Sequence, residues 1–456
     1  MAPPRFPSAP VDPAPLGAPL ELPFSGRKAP NRFLKAAMSE RLASWHPTNE
    51  AARGIPSPEQ VTLYTHWGAG GWGQIQTGNI MVHPGHLEAQ GCLVIPREAP
   101  FEGERFERFS ALAAGARKHG SLIIGQVSHA GRQVDESVQK HPISASDVQL
   151  VAPSMSRSYA KPRAATKGDI REIVDSFAHA AEFLDKAGFD GIELHGAHGY
   201  LLAQFLSRST NKRTDEYGGS LENRARLILE IAEAVRARVS PSFIVGAKIN
   251  IIELQEDGVQ PADARDLCAM LEAARFDFVE FSGGNYEKLA WMHVSEEARA
   301  RENFYIQAAE EVMKWQPVAG ERKMKSYTTG GFQTVGAMVK ALEVVDGVGI
   351  GRAACQEPRL PLDILSGKVT GIMKYAIGED EMFKRLFTSG TQIRQISRNQ
   401  EPVDLTVPEN VEKMWGDIMA QLQRIGQDKT GATYGLPDVT QVTHPYAEPG
   451  AQINGA

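Results

Sequence analysis

Eight short apolar or small-residue runs recur along the chain, each followed by a polar break and then an amphipathic helical stretch, and this alternation restricts the fold more than any other feature. The runs are RFLKAAM, GWGQIQTGN, SLIIGQVS, GIELHG, FIVGAKIN, FVEFSG, KSYTTGGF and GVGIGR. Nearly continuous apolar character marks strands covered on both faces, as in parallel sheets. The segments between them read as helices. In EIVDSFAHAAEFLDKAG, Ile173, Phe177, Ala180, Ala181 and Leu184 recur at helical spacing and Gly188 supplies the stop. In SLENRARLILEIAEAVRARVSP, Ser220 reads as an N-cap, Leu221, Ile228, Ile231 and Val235 form one stripe, and Pro241 follows the end. Strands alternating with helices through right-handed crossovers close most simply into an α/β fold of the (β/α)8 TIM-barrel type, with a doubly wound sheet as the rival.

That rhythm sets the domain organisation. Residues 1–30 are dominated by Pro and Ala and read as an N-terminal arm, 31–370 as the barrel, and 371–456 as a C-terminal helical extension ending in an irregular tail. A chain of 456 residues that is 42% hydrophobic can bury a core of this size. Its net charge of -6 and lack of a Lys/Arg stripe argue against nucleic acid and leave small molecules as the expected partners. The three cysteines, Cys92, Cys268 and Cys355, are too few and too scattered for a disulfide framework or an iron–sulfur site. No stretch reads as a signal peptide or is apolar enough to span a bilayer, so the expectation is a cytoplasmic protein, monomeric or homodimeric.

A barrel builds its site from the loops at the carboxyl ends of its strands. The unusual polar residues fall there: Ser39 after the first run, Thr77 and Asn79 closing the second, Gln126 and His129 the third, His195 and His198 the fourth, Lys248 and Asn250 the fifth. The fourth run, in IELHGAHGYLLAQF, brings two imidazoles and the phenol of Tyr200 to one strand end. The His-x-x-His pair has no third ligand at a zinc-like spacing, so no metal is expected. His129 and Tyr286 border the same face and read as loop-filling residues. Lys248 ends an apolar run and needs a partner to justify its charge. Gly330 and Gly331 in TTGGF, with Gly351 and Arg352 in GIGR, close the seventh and eighth runs. Glycine lets backbone N–H groups approach an anion, a following helix start adds its dipole, and a guanidinium grips two oxygens, so phosphate is the natural ligand there. The bland alternative is a pair of tight turns and a surface arginine.

Together these segments resemble the old yellow enzyme class of flavin-dependent ene-reductases, also described as NADH:flavin oxidoreductases. The resemblance runs from about Leu20 to Gly367 and is most specific in HGAHGYLLAQFLSRSTNKRTDEYGGSLENRAR, supported in order by KAAMSE, GQVSHAGRQ, TTGGF and GIGR. It implies a single barrel holding noncovalent FMN at its carboxyl face, reduced by NADH or NADPH and oxidised by an activated alkene. By the same resemblance Ser39 falls near the flavin O4, Gln126 at the pyrimidine edge, Lys248 at N1 and O2, and Gly330, Gly331, Gly351 and Arg352 at the phosphate. His195 and His198 then bind the substrate's carbonyl or nitro oxygen and Tyr200 donates the proton. Two departures stand out: Ser39 replaces a Thr or Cys, and Ser128 stands where several relatives carry an aromatic.

The side chains suit such chemistry. Two imidazole N–H donors aimed at one oxygen stabilise developing negative charge, and a phenol stays protonated at neutral pH. Two other functions remain open at this stage: an FMN-dependent dehydrogenase or oxidase working in the desaturating direction, and a barrel that binds FMN without redox turnover.

Overall fold

The structure is a computed structural model, described for residues 3–152, 157–288, 302–303, 305–317 and 320–447. Each of the eight runs contains a strand: β1 Phe33–Lys35, β2 Gln74–Met81, β3 Leu122–Ser128, β4 Gly191–Gly196, β5 Ile244–Ile252, β6 Phe278–Gly283, β7 Lys325–Thr329 and β8 Gly347–Ile350. All neighbouring pairs are parallel, and β1 pairs with both β8 and β2. The sheet therefore closes, which removes the doubly wound alternative, since an open sheet leaves two edges. A short extra strand, Leu93–Val94, lies against the end of β2.

The helices start where side chains can satisfy their first amide groups. Ser220 caps Leu221–Arg236 as expected, accepting from Asn223 N. The helix carrying EIVDSFAHAAEFLDK begins earlier, at Lys167, because Thr166 and Asp169 form a capping box. Its Ile173, Phe177, Ala180, Ala181 and Leu184 are buried against the barrel wall.

The proline-rich start is more than an extended arm. A helical turn at Ala14–Gly17 leads into an antiparallel hairpin of Leu20–Leu22 and Arg27–Ala29. Leu20, Leu22 and Ala29 pack with Leu34, Leu122, Ile124, Ile244, Phe278 and Tyr327, plugging the amino end of the barrel with apolar surface. Polar chemistry is thereby confined to the other end. After the last barrel helix, Met382–Ser397 and Pro408–Gln427 form an addition with its own small core of Ile377, Val403, Leu405, Val411, Met414 and Ile418. No helix among the described residues is long and apolar enough to cross a membrane.

Candidate active site

At the end of β4 the chain turns sharply. His198 adopts left-handed backbone, φ 57°, and Tyr200 sits at the N-cap position of the short helix Leu201–Leu206 without a capping side-chain hydrogen bond. Such a conformation at a non-glycine residue stores ~1–3 kcal/mol and persists only where neighbours enforce it. Here Asn250 Oδ1 accepts from His198 N at 3.1 Å, and His198 Nε2 meets Ser282 Oγ at 2.7 Å. The turn sets the His195 ring 5.1 Å from that of His198 and 4.6 Å from that of Tyr200. His195 Nδ1 accepts the Ala197 N–H at 3.3 Å, which leaves its proton on Nε2. Burial, reinforced by Lys248, pushes His198 down to about 3; burial, then His198 and Lys248, hold His195 well below its ordinary value. Both imidazoles are therefore neutral hydrogen-bonding groups at physiological pH.

Tyr200 is buried, and its hydroxyl lies 2.8 Å from that of Tyr286 in the loop after β6. Burial, with Tyr286 and Glu88 nearby, raises the Tyr200 phenol well above its usual pKa, so it keeps its proton. Glu88 is a buried carboxylate on this face. Against the upward push of burial, Arg41, Arg157, Ser39 and Cys92 hold it below the usual range. Ser39 donates its hydroxyl to Glu88 Oε2 at 2.7 Å. His129, read from sequence as loop-filling, accepts from Gly131 N at Nδ1 at 3.0 Å, and its ring lies 4.5 Å from that of His86.

Beneath these groups the barrel interior is charged. Lys248 is buried and reaches Glu280 at 3.1 Å and Glu193 at 3.7 Å, the partners its sequence position called for. Gln126 donates to Glu193 Oε2 at 2.6 Å. At the phosphate end, Gly330 and Gly331 take φ of 126° and 87°, a backbone reserved in practice for glycine. A Cβ on Gly351 would meet only Met38 Sδ, at 3.9 Å, so the space beside it is open. Arg352 has no carboxylate partner among the described residues; Nη1 rests 2.9 Å from Met382 Sδ, and burial plus the like charge of Arg385 lower its pKa. The expected helix dipoles contribute little, because the helices that follow, Val335–Ala341 and Ala353–Gln356, are short.

Tyr286, read from sequence as a loop-filling residue on this face, instead meets the Tyr200 hydroxyl. Glu88, Glu193 and Glu280 escaped sequence reading. The last two were visible as lone carboxylates inside GIELHG and FVEFSG, whereas Glu88 lies in a loop and gave no signal of its own. Among the described residues no group of three or more His, Cys, Asp or Glu could hold a metal, and the part of SGGNYEKLAWM beyond Lys288 lies outside the described residues.

A closed (β/α)8 barrel, apolar at one end and polar over the carboxyl ends of its strands, defines an α/β-barrel protein that receives its ligand on that polar face. Residues 23–370 match the NADH:flavin oxidoreductase / NADH oxidase family, and the chain belongs to it, within the old yellow enzyme class. It is an oxidoreductase that uses FMN with NADH or NADPH. The chain is 49% identical over 431 residues to the NADH-dependent flavin oxidoreductase nadA of Aspergillus parasiticus, covering 94% of this chain and 96% of that one. It is 33% identical to the NADH-dependent flavin oxidoreductase iliE of Hypocrea jecorina, over 75% of this chain and 86% of the relative. Morphinone reductase in complex with tetrahydroNAD shares the fold with a TM-score of 0.60 at 22% identity, covering 78% of this chain and 91% of that one.

Proposed function

We propose that this protein is an ene-reductase: with NAD(P)H as reductant it saturates the double bond of an enone, enal or nitroalkene, His195 and His198 binding the substrate oxygen and Tyr200 donating a proton to the α carbon. The observation that supports this most directly is the turn after β4, which gathers two neutral imidazoles and an un-ionised phenol within ring-contact distance. FMN, when bound, supplies the hydride, which no protein side chain can carry.

The residues fit that cofactor. Arg352 has no carboxylate partner among the described residues, Gly330 and Gly331 hold backbone that favours glycine, Gly351 leaves open space, and Asn79 Oδ1 is buried with no donor among the described residues. In this reading those three glycines and Arg352 hold the phosphate, while Ser39, Gln126 and Lys248 face the ring. Ser39 spends its hydroxyl proton on Glu88, so it offers the ring an oxygen lone pair. The imidazoles stabilise charge on the substrate oxygen by about 3 kcal/mol per donor, the strength typical of preorganised oxyanion donors.

The test is optical. The purified protein should be yellow, bleach anaerobically with NADPH or NADH, and recolour on adding cyclohexenone. Bleaching that no activated alkene reverses would overturn the ene-reductase reading.

A further inference from the structure

Two carboxylates face each other inside the barrel with one cation beside them. Glu193 on β4 and Glu280 on β6 are completely buried, and Lys248 on β5, the strand between, reaches both. Glu193 accepts from the amides of Gln76 and Gln126, each at 2.6 Å, and Glu280 Oε1 accepts from Thr329 Oγ1 at 2.6 Å. Glu280 Oε2 is buried with no donor among the described residues. Glu193 and Glu280 also come within hydrogen-bonding reach of each other. Like charges in a water-poor interior do not both persist at that range; one carboxyl takes up a proton.

The other charged or titratable groups around the pair do not supply that proton's equivalent. Lys35 on β1, donating to Gln76 O at 3.2 Å and lying over the Trp67 ring, interacts first with Glu40 and less with Glu280, and burial lowers its own pKa to about 8. His195 and His198 on the β4 side are neutral. Tyr327 on β7 and Cys355 after β8 are held in their neutral forms chiefly by burial.

We propose that Glu193 and Glu280 share a single proton and together form a titratable counter-charge to Lys248. With the proton in place the three side chains sum to zero charge and Glu280 Oε2 gains its missing donor. Burial pushes the Glu193 carboxyl well above the usual carboxylate range, opposed by Lys248 and reinforced by Glu280. When the proton leaves at higher pH, the trio carries one negative charge. What this does to the cofactor rests on the function proposed above, in which Lys248 and Gln126 line the flavin ring. Glu193 is accordingly a positioning residue: it touches Lys248 and Gln126, and through them sets the potential felt on their far side.

Infrared difference spectroscopy across the neutral to alkaline range tests the shared proton, on FMN-loaded and flavin-free protein alike. A buried carboxylic C=O band should be present at neutral pH, vanish as the pH is raised, and be absent from Glu193→Gln, whose amide mimics the protonated form and preserves the fold. Glu280→Gln should also abolish the band, because a lone Glu193 beside Lys248 ionises. In loaded protein the flavin midpoint potential should fall more steeply with pH in the parent than in Glu193→Gln. No band at neutral pH in either form, or one that survives both substitutions, overturns the shared proton. A band that titrates as expected while both proteins show the same potential-versus-pH slope overturns the placement of Lys248 at the flavin and leaves the shared proton standing.

Discussion

The phenol oxygens of Tyr200 and Tyr286 lie 2.8 Å apart, one side chain buried at the β4 turn and the other half-buried in the loop after β6. In the proposed function Tyr200 gives up a proton and must recover one before the next turnover, and the half-buried Tyr286 offers the neighbouring hydroxyl for that return. Tyr200→Phe should slow enone reduction by about 10²- to 10⁴-fold, the usual range for general acid catalysis, and leave flavin reduction by NAD(P)H unchanged. Tyr286→Phe should slow enone reduction less, because the donor itself remains. Nitroalkenes should be spared in both variants, since a nitronate is stable enough to leave and be protonated in solution. Stopped-flow traces of the two half-reactions decide this: a Tyr200→Phe protein that reduces cyclohexenone at the parent rate removes Tyr200 from its role.

Arg352 offers a second test, because among the described residues its guanidinium has no carboxylate partner and hydrogen-bonds the Met382 thioether. A buried guanidinium gains about 1.5–3 kcal/mol from a charge-assisted hydrogen bond. Arg352→Ala should therefore weaken FMN binding by roughly ten- to a hundred-fold and barely change riboflavin binding. Fluorescence titration of flavin-free protein with each flavin reads this directly. Equal losses for both would move the phosphate elsewhere.

The barrel was legible in sequence because its strands are buried on both faces, so GIELHG and FIVGAKIN stand out as apolar runs without needing to know their neighbours. The turn at His195, His198 and Tyr200 was legible for a related reason: its members are adjacent in the chain. What stayed hidden depends on closure. Leu20 and Leu22 gain a reason to be apolar only once the barrel end exists to be plugged. Glu193, Lys248 and Glu280 come from three strands, and their partnership appears only when β4, β5 and β6 lie side by side. Tyr286 reaches Tyr200 across the barrel mouth, a relation that no local spacing encodes.

Acid should unfold the protein through its buried histidines. Burial pushes His198 and His86 down to about 3, and His129 and His195 well below their ordinary value. A depressed folded pKa means that the unfolded chain takes up the proton first. The stability from His198 and His86 is therefore complete above about 6.5 and is lost as pH falls toward 3, at up to about 1.4 kcal/mol per pH unit, and that from His129 and His195 is lost in the same direction. His86 lies outside the proposed machinery and its Nε2 has no hydrogen-bond partner among the described residues, so His86→Gln is the probe. Chemical denaturation at stepped pH should give a shallower acid slope for this variant than for the parent; identical slopes would mean that His86 is already charged in the folded state.

The last prediction turns on Ser282, which sequence reading left as the end of an apolar strand. For His198 to donate a hydrogen bond to a substrate oxygen it must carry its proton on Nδ1, since Nε2 faces Ser282 Oγ at 2.7 Å. A serine hydroxyl donating to Nε2 selects that tautomer, and among the described residues Nδ1 has no competing protein partner. Ser282→Ala leaves the ring in place, because Asn250 still holds the His198 backbone at 3.1 Å, but frees the proton to sit on either nitrogen. The cost in ligand binding should be that of a neutral hydrogen bond, about 0.5–1.5 kcal/mol, or roughly two- to twelve-fold. His198→Ala removes the donor altogether and should weaken binding at least as much. Phenols, whose oxygen imitates the charge building on an enone carbonyl, report this without turnover, and titrating them against the oxidised flavin spectrum gives the affinity of each variant. Nitrogen-resolved NMR of the His198 ring should show the Nδ1–H form in the parent and a mixture in Ser282→Ala. A parent ring protonated on Nε2 would reverse the direction of the Ser282 contact and take His198 out of substrate binding, leaving His195 to hold the oxygen alone.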